Sequence, residues 1–272
     1  MHRFFIPPEL LKETNIDIVL PNALAHQVRD VILLNVGEHL ILLDNSGEEI
    51  LATVAKTSKT AVEVHLLERR PGKSEPTVRI ILCQGLLKSA RFEWILEKGT
   101  ELGVSVFSPI ICRRSMAGLE DTGSTKIQRW QRIIQEAAEQ SGRSHLPELL
   151  PIRPLMSALN DIPPSALTIM PWEEEYTHTL HDVLTTTTHP DGNVGAPLAG
   201  ARSTPALSTQ PPTLQTPTTV ILFVGPEGGL MPDEVALARQ RGVQIVTLGS
   251  RILRAETAAL AVVANIMYEL ER

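Results

Sequence analysis

The apolar run Val220 to Val224 stops at Gly225, Pro226, Glu227, Gly228 and Gly229. Three glycines in five residues permit positive φ and let a ligand approach bare backbone. A second such place follows: Gln244 to Leu248 ends at Gly249, and Ser250, Arg251, Ile252, Leu253, Arg254, Ala255, Glu256 and Thr257 lead into the final helix. Two glycine-marked loops after neighbouring strands make one crevice at the carboxyl edge of an α/β sheet, where such folds bind ligands. Arg251 and Arg254 flank the apolar pair Ile252 and Leu253, a combination suited to a ligand that is partly aromatic and partly charged. Each feature also has a plain structural reading. GPEGG can be a strand-to-helix turn, and Arg254 can be tied in an ion pair to Glu256 or Glu227.

Absent motifs remove whole reaction classes. There is no GxxxxGK[ST], GxGxxG, HExxH, CxxC or GxSxG, so phosphate-cradle NTPases, zinc proteases and ordinary serine hydrolases fall away. Eight histidines, His26 and His145 among them, lack ligand spacing, and no metal is expected. Cys83 and Cys112 lie in apolar runs, too few for a disulfide scaffold, which suits a reducing interior. The N-terminal MHRFFIPPEL breaks its apolar run at Pro7 and Pro8 and is no signal peptide. The longest uncharged apolar stretch, Thr257 to Tyr268, is too short to span a bilayer. A cytoplasmic location is expected.

Around these residues the sequence predicts an α/β protein. Glu38 to Asp44, Glu49 to Ala55 and Ala61 to Leu67 alternate like consecutive antiparallel strands, with a turn at Asn45, Ser46 and Gly47. Pro71 to Ser74 makes a boundary, after which strand and helix alternate: Val78 to Leu82, Lys88 to Leu102, Val104 to Cys112, Thr125 to Gln140 with a stop at Gly142, Leu167 to Met170, and then Val220 to Val224, Val235 to Arg241 and Gln244 to Leu248. The last helix, Ala255 to Leu270, is nearly all apolar from Ala258 to Ala264 and wants cover on every side, part of it from a second subunit. Residues 185–219 hold 10 Thr and 6 Pro and read as a disordered surface insertion.

Charge is uneven. A formal net charge of -6 speaks against a nucleic-acid partner, yet residues 79 to 160 carry 11 basic and 8 acidic side chains. Lys88, Arg91, Arg113, Arg114, Arg129, Arg132 and Arg143 are the core of that segment and predict a local phosphate-facing surface.

GPEGG at Gly225 to Gly229 and LGSRILRAETA at Leu248 to Ala258 resemble the signatures of the RsmE family of ribosomal RNA uridine-N3 methyltransferases. HRFF at His2 to Phe5, KSARFEWILEKGTELGV at Lys88 to Val104 and RWQRIIQEAAEQSGR at Arg129 to Arg143 agree with it. The resemblance implies a SPOUT-type α/β sheet over 73–272 with a C-terminal trefoil knot, a rare topology that ordinary rules would exclude, preceded over 1–72 by a small PUA-like antiparallel β-barrel. It implies S-adenosylmethionine as cofactor, held by Met170, Gly225, Glu227, Gly228, Gly229, Leu248, Gly249, Ile252 and Leu253. It further implies catalytic roles for Arg254 and Glu256, RNA binding by Arg3, Arg29, Lys88, Arg91, Arg114 and Arg143, and a homodimer formed through the knot. The substrate would be 16S ribosomal RNA or the small ribosomal subunit, with no membrane and no metal. Two stretches depart from the family pattern. Val31, Ile32 and Leu33 stand where the family has an Arg, so either Arg29 substitutes from the same helix or that RNA contact is missing, and Arg113, Arg114 and Ser115 replace an acidic or small residue before Arg-Ser. The rivals are a SPOUT enzyme with another target such as a ribose 2′-hydroxyl, a non-catalytic RNA-binding module, and a Rossmann-like small-molecule enzyme, which lacks its dinucleotide fingerprint here.

Overall fold

The alternating stretch of the first seventy residues forms a five-stranded sheet in the computed structural model, which describes residues 1–11, 16–116, 118, 123–188 and 219–271. Its elements are β1 (His2–Phe5), β2 (Asp17–Val19), α1 (Asn22–His26), β3 (His39–Leu43), β4 (Glu48–Thr57) and β5 (Val62–Pro71). The chain continues through β6 (Arg79–Gly85), α2 (Ser89–Glu101), β7 (Val104–Ile111), α3 (Ser124–Ser141), β8 (Glu148–Leu149), β9 (Arg153–Pro154), α4 (Leu155–Asn160) and β10 (Leu167–Pro171). It ends with α5 (Leu180–Thr188), β11 (Thr219–Val224), α6 (Pro232–Gln240), β12 (Gln244–Val246) and α7 (Ala255–Leu270). Two compact units result, one of Met1–Pro76, Ser89–Phe107 and Asp121–Leu149, the other of Thr77–Lys88, Ser108–Glu120 and Leu150–Arg272.

In the first unit the sheet order is β1-β3-β4-β5-β2. β3, β4 and β5 pair antiparallel as the alternation predicts, and Asn45 and Gly47 take φ of 66° and 92° in the turn between β3 and β4. β1 runs parallel to β3, with Arg3 opposite Ile41. Four residues carry too little periodicity to announce that pairing. Phe4, Leu40, Leu42, Ile50, Ala52, Val54, Val62 and Val64 share one core with Leu24 and Val28. α3 buries Trp130, Ile134, Ala137 and Ala138 on one face and stops at Gly142, whose φ of 80° a Cβ would resist. The Trp130 ring meets Phe92 of α2 at 4.5 Å between centroids.

In the second unit β12, β10, β11 and β6 lie side by side in that order and all run parallel, with β7 beyond β6. Buried on both faces, such strands need continuous apolar runs, which Val220 to Val224 and Ile80 to Cys83 supply. Cys83 and Cys112 are both free thiols in this core, and burial pushes them up to about 11 and about 12. α7 packs against α5, β6 and β11 through Ala259, Val262, Val263 and Ile266 and leaves Ala264, Asn265 and Tyr268 exposed. The Pro/Thr-rich stretch differs from the expectation at its ends: Thr185 to Thr188 close α5 and Thr219 opens β11, while 189–218 lie outside the described residues. No helix among the described residues is long and apolar enough to cross a membrane.

Candidate active site

Register places the site. Ile169 pairs with both Leu222 and Gln244, Pro171 with Val246, and Val224 with Gln84. Four neighbouring parallel strands therefore end in one row, and the loops leaving Gly85, Pro171, Val224 and Val246 rise from the same carboxyl edge. From β10 the chain goes to β11 on one side and then to β12 on the other, which is a switch point where α/β sheets open a crevice.

The GPEGG loop is a tight turn in which the Gly229 amide donates to the Pro226 carbonyl at 2.9 Å, and Gly229 has φ +73°. A side chain at Gly228 would press on Arg114, and at Gly229 the positive φ itself disfavours one. A Cβ on Gly228 would lie 3.0 Å from Cβ and carbonyl oxygen of Arg114, and one on Gly229 would lie 2.5 Å from Glu173 Oε1. Arg114 Nη1 donates to the carbonyls of Gly228 (3.1 Å) and Leu230 (3.4 Å). Glu234, in the first turn of α6, accepts from the Met231 amide and from the Arg113 amide, both at 2.9 Å, and so ties the segment after β7 to the start of that helix.

The β12 loop is open by contrast. Gly249 has φ +101°, and among the described residues, its chain neighbours aside, no atom lies within 4 Å of where its Cβ would be. Thr247 Oγ1 accepts from the Gly249 amide at 3.2 Å. Leu248 and Leu253 are half-buried, whereas Ile252 is 86% exposed, so the expected pair splits and only Leu253 packs within the unit. Arg254 precedes α7 as its N-cap; it is exposed, and its guanidinium makes no ion pair among the described residues, so the salt bridge to Glu256 or Glu227 is not formed. Glu256 is half-buried in the first turn of α7, and Glu227 is exposed at the tip of the GPEGG turn.

At β10 the structure corrects the sequence reading. Met170 is fully buried in the core with Cys83, Phe223 and Ile245, because both faces of β10 are covered and Ile169 beside it is sealed as well. Trp172 follows, its amide on the Val246 carbonyl at 3.0 Å. Glu175 then anchors the loop. The Thr177 hydroxyl and amide, the His178 amide and Arg239 hold its carboxyl down to about 2.

Gln84 and Gly85 escaped the sequence reading. Gly85 ends an apolar run as Gly225 and Gly249 do, which was a legible signal, and a Cβ on it would stand 2.5 Å from the Pro226 nitrogen. Gln84, 1% exposed, donates through Nε2 to the carbonyls of Gly85 (3.0 Å) and Gly225 (3.2 Å).

The basic residues do not form the surface expected of them. Arg143 is 4% exposed. Its Nη1 donates to the Val104 carbonyl at 2.6 Å and its Nη2 to Glu75 at 2.9 Å, so it is a core cation and not a phosphate ligand. Arg29 is likewise spent, on Asp30 and on the carbonyls of Ser58 and Lys59 in the β4–β5 turn. Arg114 braces the GPEGG loop, and Arg3 is partly buried with Glu49 at 3.6 Å. Lys88 is exposed and Arg91 half-buried.

The Arg143 pair carries a prediction of its own. Burial raises the Glu75 carboxyl, but Arg143 and the amides of His145 and Ser144 outweigh that and hold it below the usual range. A depressed carboxyl adds stability above its unfolded value and loses it as pH falls through the folded one. Arg143→Met leaves Glu75 uncompensated and is expected to cost about 3 kcal/mol. It should also reduce the part of the acid sensitivity that Glu75 contributes, the Ser144 and His145 amides remaining on its carboxyl. Urea titrations between pH 3 and 7 read both effects, and an unchanged midpoint contradicts the assignment.

Comparison with known proteins agrees with this geometry. The model of the RNA methyltransferase domain matches residues 73–267. The ribosomal RNA small subunit methyltransferase E of Bacillus subtilis is 31% identical over 90% of this chain and 88% of its own length, and that of Synechocystis is 30% identical over 99% and 78%. The crystal structure of the Neisseria gonorrhoeae ribosomal RNA small subunit methyltransferase E bound to S-adenosyl methionine superposes with a TM-score of 0.78 at 26% identity, covering 98% of this chain and 97% of that one. A glycine-lined carboxyl edge and similarity maintained along almost the whole length lead to one conclusion: this chain belongs to the ribosomal RNA small subunit methyltransferase E family.

Proposed function

We propose that this protein transfers a methyl group from S-adenosylmethionine to N3 of a uridine in 16S ribosomal RNA, acting on the RNA or on the small ribosomal subunit. The observation that carries the reading is the row of four parallel strand ends whose loops expose glycine backbone beside an arginine with no ion pair among the described residues. The residues present fit the cofactor. Gly249 offers backbone with no described residue in front of it, Leu248 and Leu253 offer apolar surface for an adenine, and Gly228 stands tight against Arg114. Gly225, Gly228, Gly229, Leu248, Gly249 and Leu253 would hold it, with Glu227 and Ile252 at the rim and Trp172 in the place expected of Met170.

When bound, S-adenosylmethionine supplies an electrophilic methyl whose sulfonium charge vanishes on transfer. The chain has then mainly to position the acceptor, which fixed geometry does well. Uracil N3 becomes a nucleophile on losing its proton, and the Arg254 guanidinium stabilises the charge that develops on the flanking uracil oxygens. The proton passes to a carboxylate, Glu256 in the first turn of α7 or Glu227 at the turn. Lys88 and Arg91 neutralise RNA phosphates. Residues 1–72 act as a PUA-like barrel that holds RNA and 73–272 as a SPOUT domain with a trefoil knot; the match over 73–267 supports a methyltransferase domain there. A homodimer through the knot would cover Tyr268 and Asn265 of α7, and such an enzyme works in the cytoplasm.

Calorimetric titration with S-adenosylhomocysteine tests the cradle. Saturable binding is expected of the natural chain and none of Gly228→Arg, whose side chain has no space beside Arg114. No binding to the natural chain would overturn the reading. Digestion of methylated RNA should yield 3-methyluridine; a ribose-methylated nucleoside would move the target.

A further inference from the structure

Gln84 ends β6 at the row of strand ends, buried and uncharged, and no established step of methyl transfer requires it. Its orientation is settled by its partners. The carbonyls of Gly85 and Gly225 only accept, so the carboxamide nitrogen must face them both, at 3.0 and 3.2 Å. Oε1 then points away, buried and without a hydrogen-bond partner among the described residues. A buried unpaired acceptor is costly, and here it offsets part of what the two donated hydrogen bonds contribute. Net stability is therefore a small reason for a glutamine here. What the glutamine does is bridge the end of β6 to the first residue of the GPEGG loop, 141 residues later in the chain. The approach is as close as backbone allows, since a Cβ on Gly85 would meet the Gly225 carbon at 2.8 Å.

We propose that Gln84 is a positioning residue for the cofactor: its two N–H groups hold the Gly225 carbonyl in register with β6 and so set where the loop backbone stands. The inference rests on the S-adenosylmethionine reading of the site. Gln84 touches no reacting atom and acts through Gly225. It differs from the glycines around it in supplying attraction, where they supply room.

Two near-isosteric variants test this on the full-length protein, with S-adenosylhomocysteine as the calorimetric probe. Gln84→Met removes both donors together with the unpaired acceptor. It leaves the Gly85 and Gly225 carbonyls without that donor, so its melting temperature should stay within a few degrees of the natural chain, yet it should bind at least tenfold more weakly. Gln84→Glu at neutral pH turns a carboxylate toward two carbonyl oxygens and should bind more weakly still. Burial raises the pKa of such a carboxyl, and once protonated it donates one hydrogen bond. Affinity of Gln84→Glu should therefore recover as pH falls from 8 to 5, relative to the natural chain at each pH. Methionine binding within threefold of the natural chain, or a glutamate variant whose relative affinity ignores pH, overturns the role of Gln84. Failure of the natural chain to bind the probe overturns the cofactor reading instead. If Gln84→Met does not fold, the pH series on Gln84→Glu decides alone.

Discussion

Arg254→Ala should bind S-adenosylhomocysteine within about threefold of the natural chain and lose at least about 100-fold in methyl transfer, the range in which a single donor to developing charge acts. The structure separates the two effects. Arg254 is the N-cap of α7 with φ -66° and ψ 152°, a conformation alanine adopts freely. It contributes no side-chain cap, and its carbonyl, which accepts from the Ala258 amide at 2.8 Å, is kept in the variant. With no ion pair to lose, stability should change by less than about 0.5 kcal/mol. Single-turnover methylation of the small subunit alongside calorimetry reads both halves. Arg254→Lys keeps the charge without the planar fork and should recover only part of the rate. Normal turnover in Arg254→Ala would remove the residue from the mechanism.

Gly85→Ala is expected to produce the second large effect, of the opposite kind. The new methyl would lie 2.5 Å from the Pro226 nitrogen and 2.8 Å from the Gly225 carbon, and backbone cannot swing away as the tip of a side chain does. Either β6 or the GPEGG loop must shift. Overpacking of this sort costs about 1–3 kcal/mol. For a chain of this size that lowers the melting temperature by several degrees. Because the loop is less constrained than a strand paired along its whole length with β11, the loop should yield, and affinity for S-adenosylhomocysteine should fall at least tenfold. Thermal unfolding and calorimetry together check this, and a variant that binds normally would place Gly85 outside the cradle. Gly85→Ala fails by intrusion, Gln84→Met by lost attraction.

Much of the α/β unit could be read in advance, for reasons that are local. Strands buried on both faces need unbroken apolar runs, and Val220 to Val224 is one. Turns with positive φ need glycine, and Gly229, Gly249 and Gly142 all have it. Antiparallel neighbours joined by short turns, such as β3 and β4, show themselves through alternation. Charge was less informative. A tally of arginines between residues 79 and 160 cannot separate Lys88, which is exposed, from Arg143, which is sealed against Glu75, a residue 68 positions earlier. Met170 sits in a strand covered on both faces, which counting to a strand end does not reveal.

By itself, then, the sequence determined the strand-and-helix grammar, the glycine loops and the arginine at the head of α7, since φ preference and apolar period belong to the residues. Tertiary structure alone decided that β6, β10, β11 and β12 end in one row, that Gln84 and Gly85 meet Gly225, and which arginines are spent on neighbours. Those outcomes depend on which distant segments become adjacent, and adjacency comes from packing the whole unit, beyond the reach of any local stretch.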